Sequence, residues 1–250
     1  MGPEAVYIDY IRVIISVSML GYASYKDVKT REIHDMVWIT PAALGVVIDA
    51  YEIIVGNLTV RGALFSIGFM VVLSGILWYF SLFGEADLIA FVALAVIQPR
   101  VPMFGFIGYT PLFFSFTIIA NTAIAGLLTA ICTFVMNIAD SLRGGDLFER
   151  YSDASAFKKL VVMATGRYIP VEALRGPPFE YPMEVRGELI IRPDLFDDEA
   201  ANKEFKILRE KGADKVWVSA TLPYIVVLCV GYLISVFYGD VMFTIMSMLV

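Results

Sequence analysis

The amino-acid sequence predicts an α-helical polytopic membrane protein, with six transmembrane helices and a small α+β cytoplasmic domain before the last helix. Its composition supports this class, because 58% of the 250 residues are hydrophobic and only 18% are charged, with a mean hydropathy of +0.73. Soluble domains average about half apolar and about a quarter charged residues. The chain also contains several apolar runs long enough to cross a bilayer, which takes about 20 residues.

Six apolar runs define the predicted transmembrane helices. They lie near residues 5–26, 36–55, 61–83, 87–101, 110–139 and 216–238. These runs divide the chain into three predicted parts. Residues 1–139 hold the first five helices, residues 140–215 form the cytoplasmic domain, and residues 216–250 form the sixth helix with a C-terminal tail.

The distribution of basic residues predicts which side of the membrane each loop faces. Lys26, Lys29 and Arg31 fill the loop after the first run, and thirteen further Lys and Arg residues lie in 140–215. Short loops rich in Lys and Arg stay in the cytoplasm, whereas long segments obey this rule less strictly. The N-terminus is therefore predicted to lie outside the cell. The loops 26–35 and 84–86 and the soluble domain are predicted to lie in the cytoplasm.

The fourth run is unusually short. Only about ten apolar residues separate Asp87 from Gln98 and Pro99, and a proline at that place discourages a regular helix. Ten helical residues rise about 15 Å, which is half the thickness of the hydrocarbon core. Asp87 is therefore expected inside the membrane rather than at its surface. Gly84 and Ala86 are small enough to allow a tight turn and a close approach of helices there.

The soluble segment is interpreted as a small α+β appendage. Its pattern predicts a helix from a cap at Ser152 and Asp153 to about residue 165, a short strand over 188–192 and a polar helix over 197–211. It contains no glycine-rich phosphate loop and no cluster of Cys and His residues. The segment therefore shows no sequence motif of an enzymatic domain.

Two carboxylates stand out as a candidate reaction centre. Asp27 ends the first apolar run and Asp87 begins the fourth, and the predicted topology puts both at the same membrane face. Ionisable groups at membrane depth are costly and usually serve a function. Two facing carboxylates do not both ionise cheaply, so one keeps a proton while the other takes a proton from water. Such a pair could hydrolyse a peptide without a metal or another cofactor, and neither is expected.

Both aspartates also have purely structural explanations. Asp27 could form an (i, i+4) ion pair with Arg31 at a helix end, and Asp87 could cap the fourth helix. Two rival carboxylates, Asp35 and Asp140, are predicted at the same interface. Asp35 is interpreted as a helix cap and Asp140 as a solvated residue.

Other polar residues in the apolar runs are expected to be structural. Asp9 and Arg12 lie three residues apart and are expected to pair with each other, while Asp49 and Glu52 are expected to reach the far interface. The single histidine, His34, is expected in a loop. Cys132 and Cys229 each lie in an apolar run, where small buried side chains are expected.

Three stretches resemble the archaeal preflagellin and prepilin peptidases, relatives of the bacterial type IV prepilin peptidases within the GxGD class of intramembrane aspartic proteases. Residues 27–33 are similar to the family's first aspartate and its basic, then apolar, loop. Residues 84–87, Gly-Glu-Ala-Asp, are similar to the second motif, with Ala86 in place of its second glycine. Residues 216–218 and Pro223-Tyr-Ile resemble the archaeal C-terminal signature. The cysteine-rich insertion of the bacterial enzymes is absent, and with it the basis for expecting an N-methyltransferase activity.

The resemblance implies an aspartic endopeptidase with Asp27 and Asp87 as its catalytic residues. Gly84, Glu85 and Ala86 would support the second aspartate. The implied reaction removes a short basic leader, ending in Lys/Arg-Gly, from archaellin (preflagellin) or pilin-like precursors at the cytoplasmic membrane face.

Acidic residues near the same face are candidates for recognising such a leader. Glu32, Asp35 and Glu85 could attract its basic side chains. The expected partners are therefore the precursor proteins and the lipid bilayer. Nucleic acid is not expected as a partner, because the net charge of the chain is −6.

Two other function classes fit the same residues. In a small proton-coupled transporter, Asp27 and Asp87 would relay protons through a broken helix. The sequence shows no internal repeat of the kind many transporters have. In a non-catalytic membrane scaffold, the cytoplasmic domain would bind a partner protein.

Overall fold

A computed structural model of the chain describes residues 4–144, 147–195, 197–220 and 223–249. The chain forms two compact units. One comprises Met1–Ala125 with Pro223–Val250, and the other comprises Gly126–Leu222. The boundaries predicted at residues 139 and 215 separate membrane from cytoplasmic parts, and they remain a prediction.

The described residues of the first unit form helices joined by loops. Its helices are α1 (Glu4–Thr30), α2 (Met36–Ile54), α3 (Val60–Tyr79), α4 (Glu85–Ile97), the first part of α5 (Phe114–Gly144), α8 (Tyr224–Phe237) and α9 (Val241–Leu249). Four of them, α1, α2, α3 and α5, are long and apolar enough to cross a membrane. The structure therefore supports a helical membrane protein with four candidate spans in the described residues.

The six predicted spans are not confirmed, because two of the six runs differ from expectation. The run 87–101 contains only α4, a helix of 13 residues, which rises about 20 Å and is too short to cross a hydrocarbon core of about 30 Å. The run 216–238 begins with a β-strand and continues as the 14-residue helix α8. Apolar composition alone could not distinguish a buried strand from the start of a helix.

Helix α4 forms the centre of this unit. It packs against α1, α2, α3 and α8, and most of its side chains are buried. A helix that is apolar on all sides is stable only where neighbours surround it. Its buried side chains include Leu88, Phe91, Leu94 and Ile97. The short helix that carries Asp87 in its first turn is therefore held in place by packing from Leu88 to Ile97.

The charged residues at the other end of α1 and α2 differ from expectation in two ways. Arg12 does not pair with Asp9: its guanidinium contacts Asp49 and Glu52, while Asp9 pairs with Arg100. Asp49 and Glu52 do not reach an interface, because both are buried within the unit. Sequence spacing predicts which residues are neighbours on one helix, but it does not predict ion pairs between helices.

The second unit has the predicted α+β character. A three-stranded antiparallel sheet has the order β1 (Arg167–Pro170), β5 (Lys215–Ala220), β2 (Glu180–Pro182), and β3 (Glu184–Val185) pairs with β4 (Glu188–Leu189). In the register of the sheet, Tyr168 lies opposite Trp217. Helices α6 (Ala156–Thr165) and α7 (Asp198–Glu210) complete the unit together with two short 3-10 turns.

Some local predictions for the second unit need correction. The first predicted helix starts at a cap on Ser155, three residues after Ser152, because the Ser155 hydroxyl accepts from the Lys158 N–H. The predicted strand 188–192 is limited to Glu188–Leu189. The polar helix matches α7, whose cap is Asp197.

Two buried groups fix the interior of the second unit. Trp217 is fully buried and stacks on Phe148 with a centroid distance of 5.0 Å. The Tyr151 hydroxyl donates to the Glu184 carboxylate, and burial raises the pKa of Tyr151, so the phenol remains the proton donor in this pair. Residues 216–218 therefore belong to a buried strand of the second unit.

A close approach of α5 and α8 depends on a glycine. A Cβ at Gly231 would lie 2.6 Å from the Thr122 Cα, so any larger residue forces the two helices apart. We expect Gly231→Ala to lower the free energy of unfolding by about 1–3 kcal/mol. Thermal unfolding in detergent measures this change.

Gly68→Ala is the matched control, since Gly68 also lies inside an apolar helix but has open space where its Cβ would be. Alanine should leave stability equal or slightly higher there, because glycine weakens a helix interior. Equal losses in the two variants would show that helix approach at Gly231 is not the cause.

Candidate active site

Asp27 lies in the last turns of α1 and is only 8% exposed. Its Oδ1 accepts from Arg31 at 3.1 Å, and its Oδ2 accepts from the backbone N–H of Ile225 at 3.3 Å. The ion pair between Asp27 and Arg31 that the sequence predicts is therefore present. The contact with Ile225, 198 residues away, is a second one that local spacing does not explain.

Arg31 reaches Asp27 through an unusual backbone conformation. It follows the end of α1 with a φ of +59°, in the left-handed region that residues other than glycine rarely adopt. Its N–H still bonds to the Asp27 carbonyl at 3.3 Å. Such strained conformations persist where the surroundings hold them, and they are frequent at functional sites.

Asp87 occupies the first turn of α4. Its Oδ2 accepts from the Gly84 N–H at 3.3 Å, which is the helix-capping arrangement considered from the sequence. Its carboxyl also interacts electrostatically with Asp27 and Arg31. The structure thus brings the two predicted aspartates, sixty residues apart in sequence, within electrostatic range of each other.

The residues around Asp87 differ in what the fold requires of them. Gly84 has an ordinary extended backbone, and a Cβ at this place would meet the Asp87 Oδ2 at an ordinary 3.5 Å. Its expected role in a tight turn is therefore not a steric requirement of this conformation. Ala86 packs against the hydrophobic core, whereas Glu85 is exposed.

The start of α8 lies beside both aspartates. The ring of Tyr224 packs against Phe83 with a centroid distance of 4.6 Å, and Tyr224 interacts electrostatically with Asp87. The next residue, Ile225, donates its N–H to Asp27. Backbone N–H groups in the first turn of a helix have no partner within the helix, and they favour a negatively charged acceptor. Three helix ends therefore meet here, those of α1, α4 and α8.

Sequence reasoning did not assign the start of α8 to the site. Pro223 followed by an apolar run is a typical helix start, and that signal was available. Only the packing of α8 against α1 shows that its first turn faces Asp27.

The candidate leader-binding residues are accessible to solvent, but they occupy different local structures. Glu32, Asp35 and Glu85 are all exposed. Asp35 occupies the cap position of α2 without a capping bond from its side chain. His34 supplies that bond, because its Nδ1 accepts from the Met36 N–H at 3.2 Å.

The rival carboxylate Asp140 belongs to the second unit. It pairs with Arg167 at 2.9 Å and remains partly exposed, in agreement with its expected solvation. Cys132 and Cys229 are free thiols, but Cys132 is exposed, which differs from the expected burial. Within the described ranges, no group of three or more His, Cys, Asp or Glu side chains could hold a metal ion.

Comparison with known proteins identifies the family. Residues 14–134 match the model of the Type IV leader peptidase family, and residues 158–241 match that of the Archaeal Peptidase A24 C-terminus Type II. The chain belongs to the archaeal branch of the type IV leader peptidase family. Asp27 and Asp87 both lie in the first matched segment, and the start of α8 lies in the second.

A relative named preflagellin peptidase, from Methanococcus voltae, is similar along almost the whole chain. It is 27% identical over 238 residues, which cover 90% of this chain and 94% of that protein. The resemblance found in the sequence is therefore confirmed at the level of the family. This protein is a membrane peptidase of the leader-cleaving family.

The contact between Arg31 and Asp27 predicts a selective loss of activity. We expect Arg31→Gln to slow precursor cleavage roughly ten-fold, about 1.4 kcal/mol of activation free energy, because the variant lacks the guanidinium that stabilises the charged form of Asp27. Stability should fall little, since ion pairs at helix ends contribute only a few tenths of a kcal/mol. Initial cleavage rates and thermal unfolding measure the two effects.

Lys29→Gln is the control for this variant. It removes the same charge from the same turn, but Lys29 bonds to Tyr25 and lies on the exposed side of the helix. Equal rates for the two variants would show that Arg31 acts only through its net charge.

Proposed function

We propose that this peptidase is an aspartic endopeptidase in which Asp27 and Asp87 activate water. The observation that carries the proposal is that these two carboxylates lie within electrostatic range of each other, where the ends of α1, α4 and α8 meet. Membership of a leader peptidase family supports peptide hydrolysis over the transporter and scaffold alternatives.

The contacts of the two carboxylates support different roles for them. Asp27 accepts from the Arg31 guanidinium and from an N–H at a helix start, and both partners stabilise its anionic form. Asp87 accepts from one backbone N–H, that of Gly84, and faces the charge of Asp27. Because two neighbouring carboxylates share one proton, Asp27 is the base and Asp87 is the acid.

The reaction then proceeds in two balanced steps. Asp27 takes a proton from water while the water oxygen bonds to the scissile carbonyl carbon, and Asp87 gives its proton to the carbonyl oxygen. In the second step the C–N bond breaks, the amine nitrogen takes the proton held by Asp27, and Asp87 recovers a proton from the tetrahedral diol. Both side chains return to their starting states without a covalent intermediate.

The proposed substrates are archaellin or pilin-like precursors with a short leader that ends in Lys/Arg-Gly. The name of the Methanococcus voltae relative supports the first of these. Cleavage takes place at the cytoplasmic face, where the loop with Lys26, Lys29 and Arg31 is proposed to lie. The N-terminus lies outside and the soluble unit inside.

The proposed chemistry predicts that neither aspartate can be replaced by its amide. We expect Asp27→Asn and Asp87→Asn each to abolish cleavage of a purified precursor in detergent while leaving the protein folded, since an amide can neither take nor give the shared proton. Inhibitors of serine proteases and metal chelators should leave the wild-type rate unchanged.

Asp140→Asn is the matched control for these amides. Asp140 also pairs with an arginine, Arg167, but it lies in the other unit. This variant should cleave at the wild-type rate. Cleavage by Asp27→Asn or Asp87→Asn at more than a small fraction of that rate would remove the residue concerned from the mechanism.

Leader recognition by exposed carboxylates is a separate proposal. We expect charge reversal at Glu32, Asp35 or Glu85 to slow cleavage of a basic leader a few-fold more than cleavage of a neutralised leader. Exposed charge pairs are worth about 0.2–1 kcal/mol, and salt screens them. The ratio of the two cleavage rates, measured at low and high salt, tests this.

Glu210→Lys serves as the control, because Glu210 is exposed at the end of α7 in the other unit. It should change both rates equally. A ratio unaffected by all three reversals would dismiss the role of these carboxylates.

A further inference from the structure

A cluster of five charged side chains lies at the ends of α1 and α4 that are remote from the aspartates. We call it the distal charge cluster, and its members are Asp9, Arg12, Asp49, Glu52 and Arg100. Four of the five residues are buried, and the side chain of Arg100 is 12% exposed. Three carboxylates and two guanidinium groups thus contact one another inside an apolar unit, and the proposed chemistry uses none of them.

Arg12 links three helices. Its Nη1 donates to the carbonyl of Ile97, the last residue of α4, at 2.5 Å. Its Nη2 donates to Asp49 at 2.6 Å and to Glu52 at 2.8 Å, both on α2. The guanidinium therefore binds a carbonyl at the end of α4 that lacks a partner within the helix, and holds it against α1 and α2.

Arg100 forms the second link, just beyond the end of α4. It donates to Glu52 at 2.6 Å and to Asp9 at 3.0 Å. The other bond to Asp9 comes from the backbone N–H of Met103 at 2.7 Å. The non-helical chain after α4 is thus tied to α1 by a side chain and by its own backbone.

These links connect the two helices that carry the aspartates. Arg12 lies fifteen residues before Asp27 on α1, about 22 Å along the helix, and Ile97 lies ten residues after Asp87 on α4, about 15 Å. Helices without an internal proline bend only gently, and neither α1 nor α4 contains one. Fixing α4 against α1 at one end therefore restricts the separation of Asp27 and Asp87 at the other end.

We infer that the distal charge cluster sets the spacing of the two aspartates, and that Arg12 and Arg100 are positioning residues for peptide cleavage. The inference rests on the proposed function of Asp27 and Asp87. A misplacement of about 1 Å, caused by a change remote from the chemistry, can slow an enzyme about 100-fold. A cluster that only stabilised the fold would change the amount of folded protein but not the activity of each folded molecule.

The experiment uses Arg12→Lys and Arg100→Lys, which keep the charge but lose the forked geometry of the guanidinium. We expect kcat per folded molecule to fall on the order of 10- to 100-fold, with KM within two-fold of wild type. Asp49→Asn is a milder variant, which replaces one ionic partner of Arg12 with a neutral amide and balances the charges of the cluster. It should give a smaller fall in kcat of the same kind.

A distance measurement provides a readout that does not depend on activity. Spin labels at Val28 on α1 and Ile89 on α4, two exposed positions next to the aspartates, report the separation of the two helices. The labels require replacement of the native thiols at Cys132 and Cys229. We expect the distribution of distances to shift or broaden in the lysine variants.

Thr117→Val is the matched control. It removes a buried bond of 2.7 Å to Asp240, the residue directly before α9, and this bond does not join α1 to α4. This variant should lose stability but keep both kcat per folded molecule and the label distances.

The inference is overturned if the lysine variants keep kcat per folded molecule within two-fold of wild type, or if kcat falls while the label distances stay unchanged. Failure of the proposed function has a different signature, because Asp27→Asn or Asp87→Asn would then cleave. The label distances would still show whether the cluster sets the spacing of the two helices.

Discussion

The fold depends on one constraint, the cost of leaving a charge or a backbone polar group without a partner in a bilayer. Helix α4 ends at Ile97 after only 13 residues, and the chain continues without helical structure to the start of α5. The exposed carbonyls and N–H groups at this end need partners from elsewhere. Arg12, Asp9 and Arg100 provide them, and these charged groups pair with one another and with carboxylates of α2. A short central helix is possible because its end is satisfied by buried side chains.

The same constraint relates the two ends of α4. At its first turn, Asp87 caps the Gly84 N–H and faces Asp27; at its last turn, a guanidinium binds its carbonyl. Between them the helix has an apolar, closely packed surface. Polar contacts are therefore concentrated at the two ends of a rigid apolar element. Helix α4 therefore connects the aspartates proposed for catalysis at its first turn with the distal charge cluster at its last turn.

The sequence was informative about individual residues and less so about their neighbours. Composition and run lengths gave the helical membrane class, and the charged turn before α4 led to Asp87. The predicted pairing of Asp9 with Arg12 is wrong, because (i, i+3) spacing says nothing about contacts between helices. The predicted span 216–238 includes most of strand β5, since a buried strand and a buried helix are equally apolar over so few residues. The contact between Ile225 and Asp27 depends on packing across 198 residues and left no local pattern.

The donor from residue 225 to Asp27 belongs to the main chain. Any amino acid except proline carries the same group, so a substitution at this buried position preserves the bond wherever the hydrophobic core accommodates the new side chain. Related proteins could differ at residue 225 without losing the feature that matters there. What must be preserved is the position of the start of α8 relative to the Asp27 carboxylate. The backbone path determines this position, and a comparison of side chains alone would overlook it.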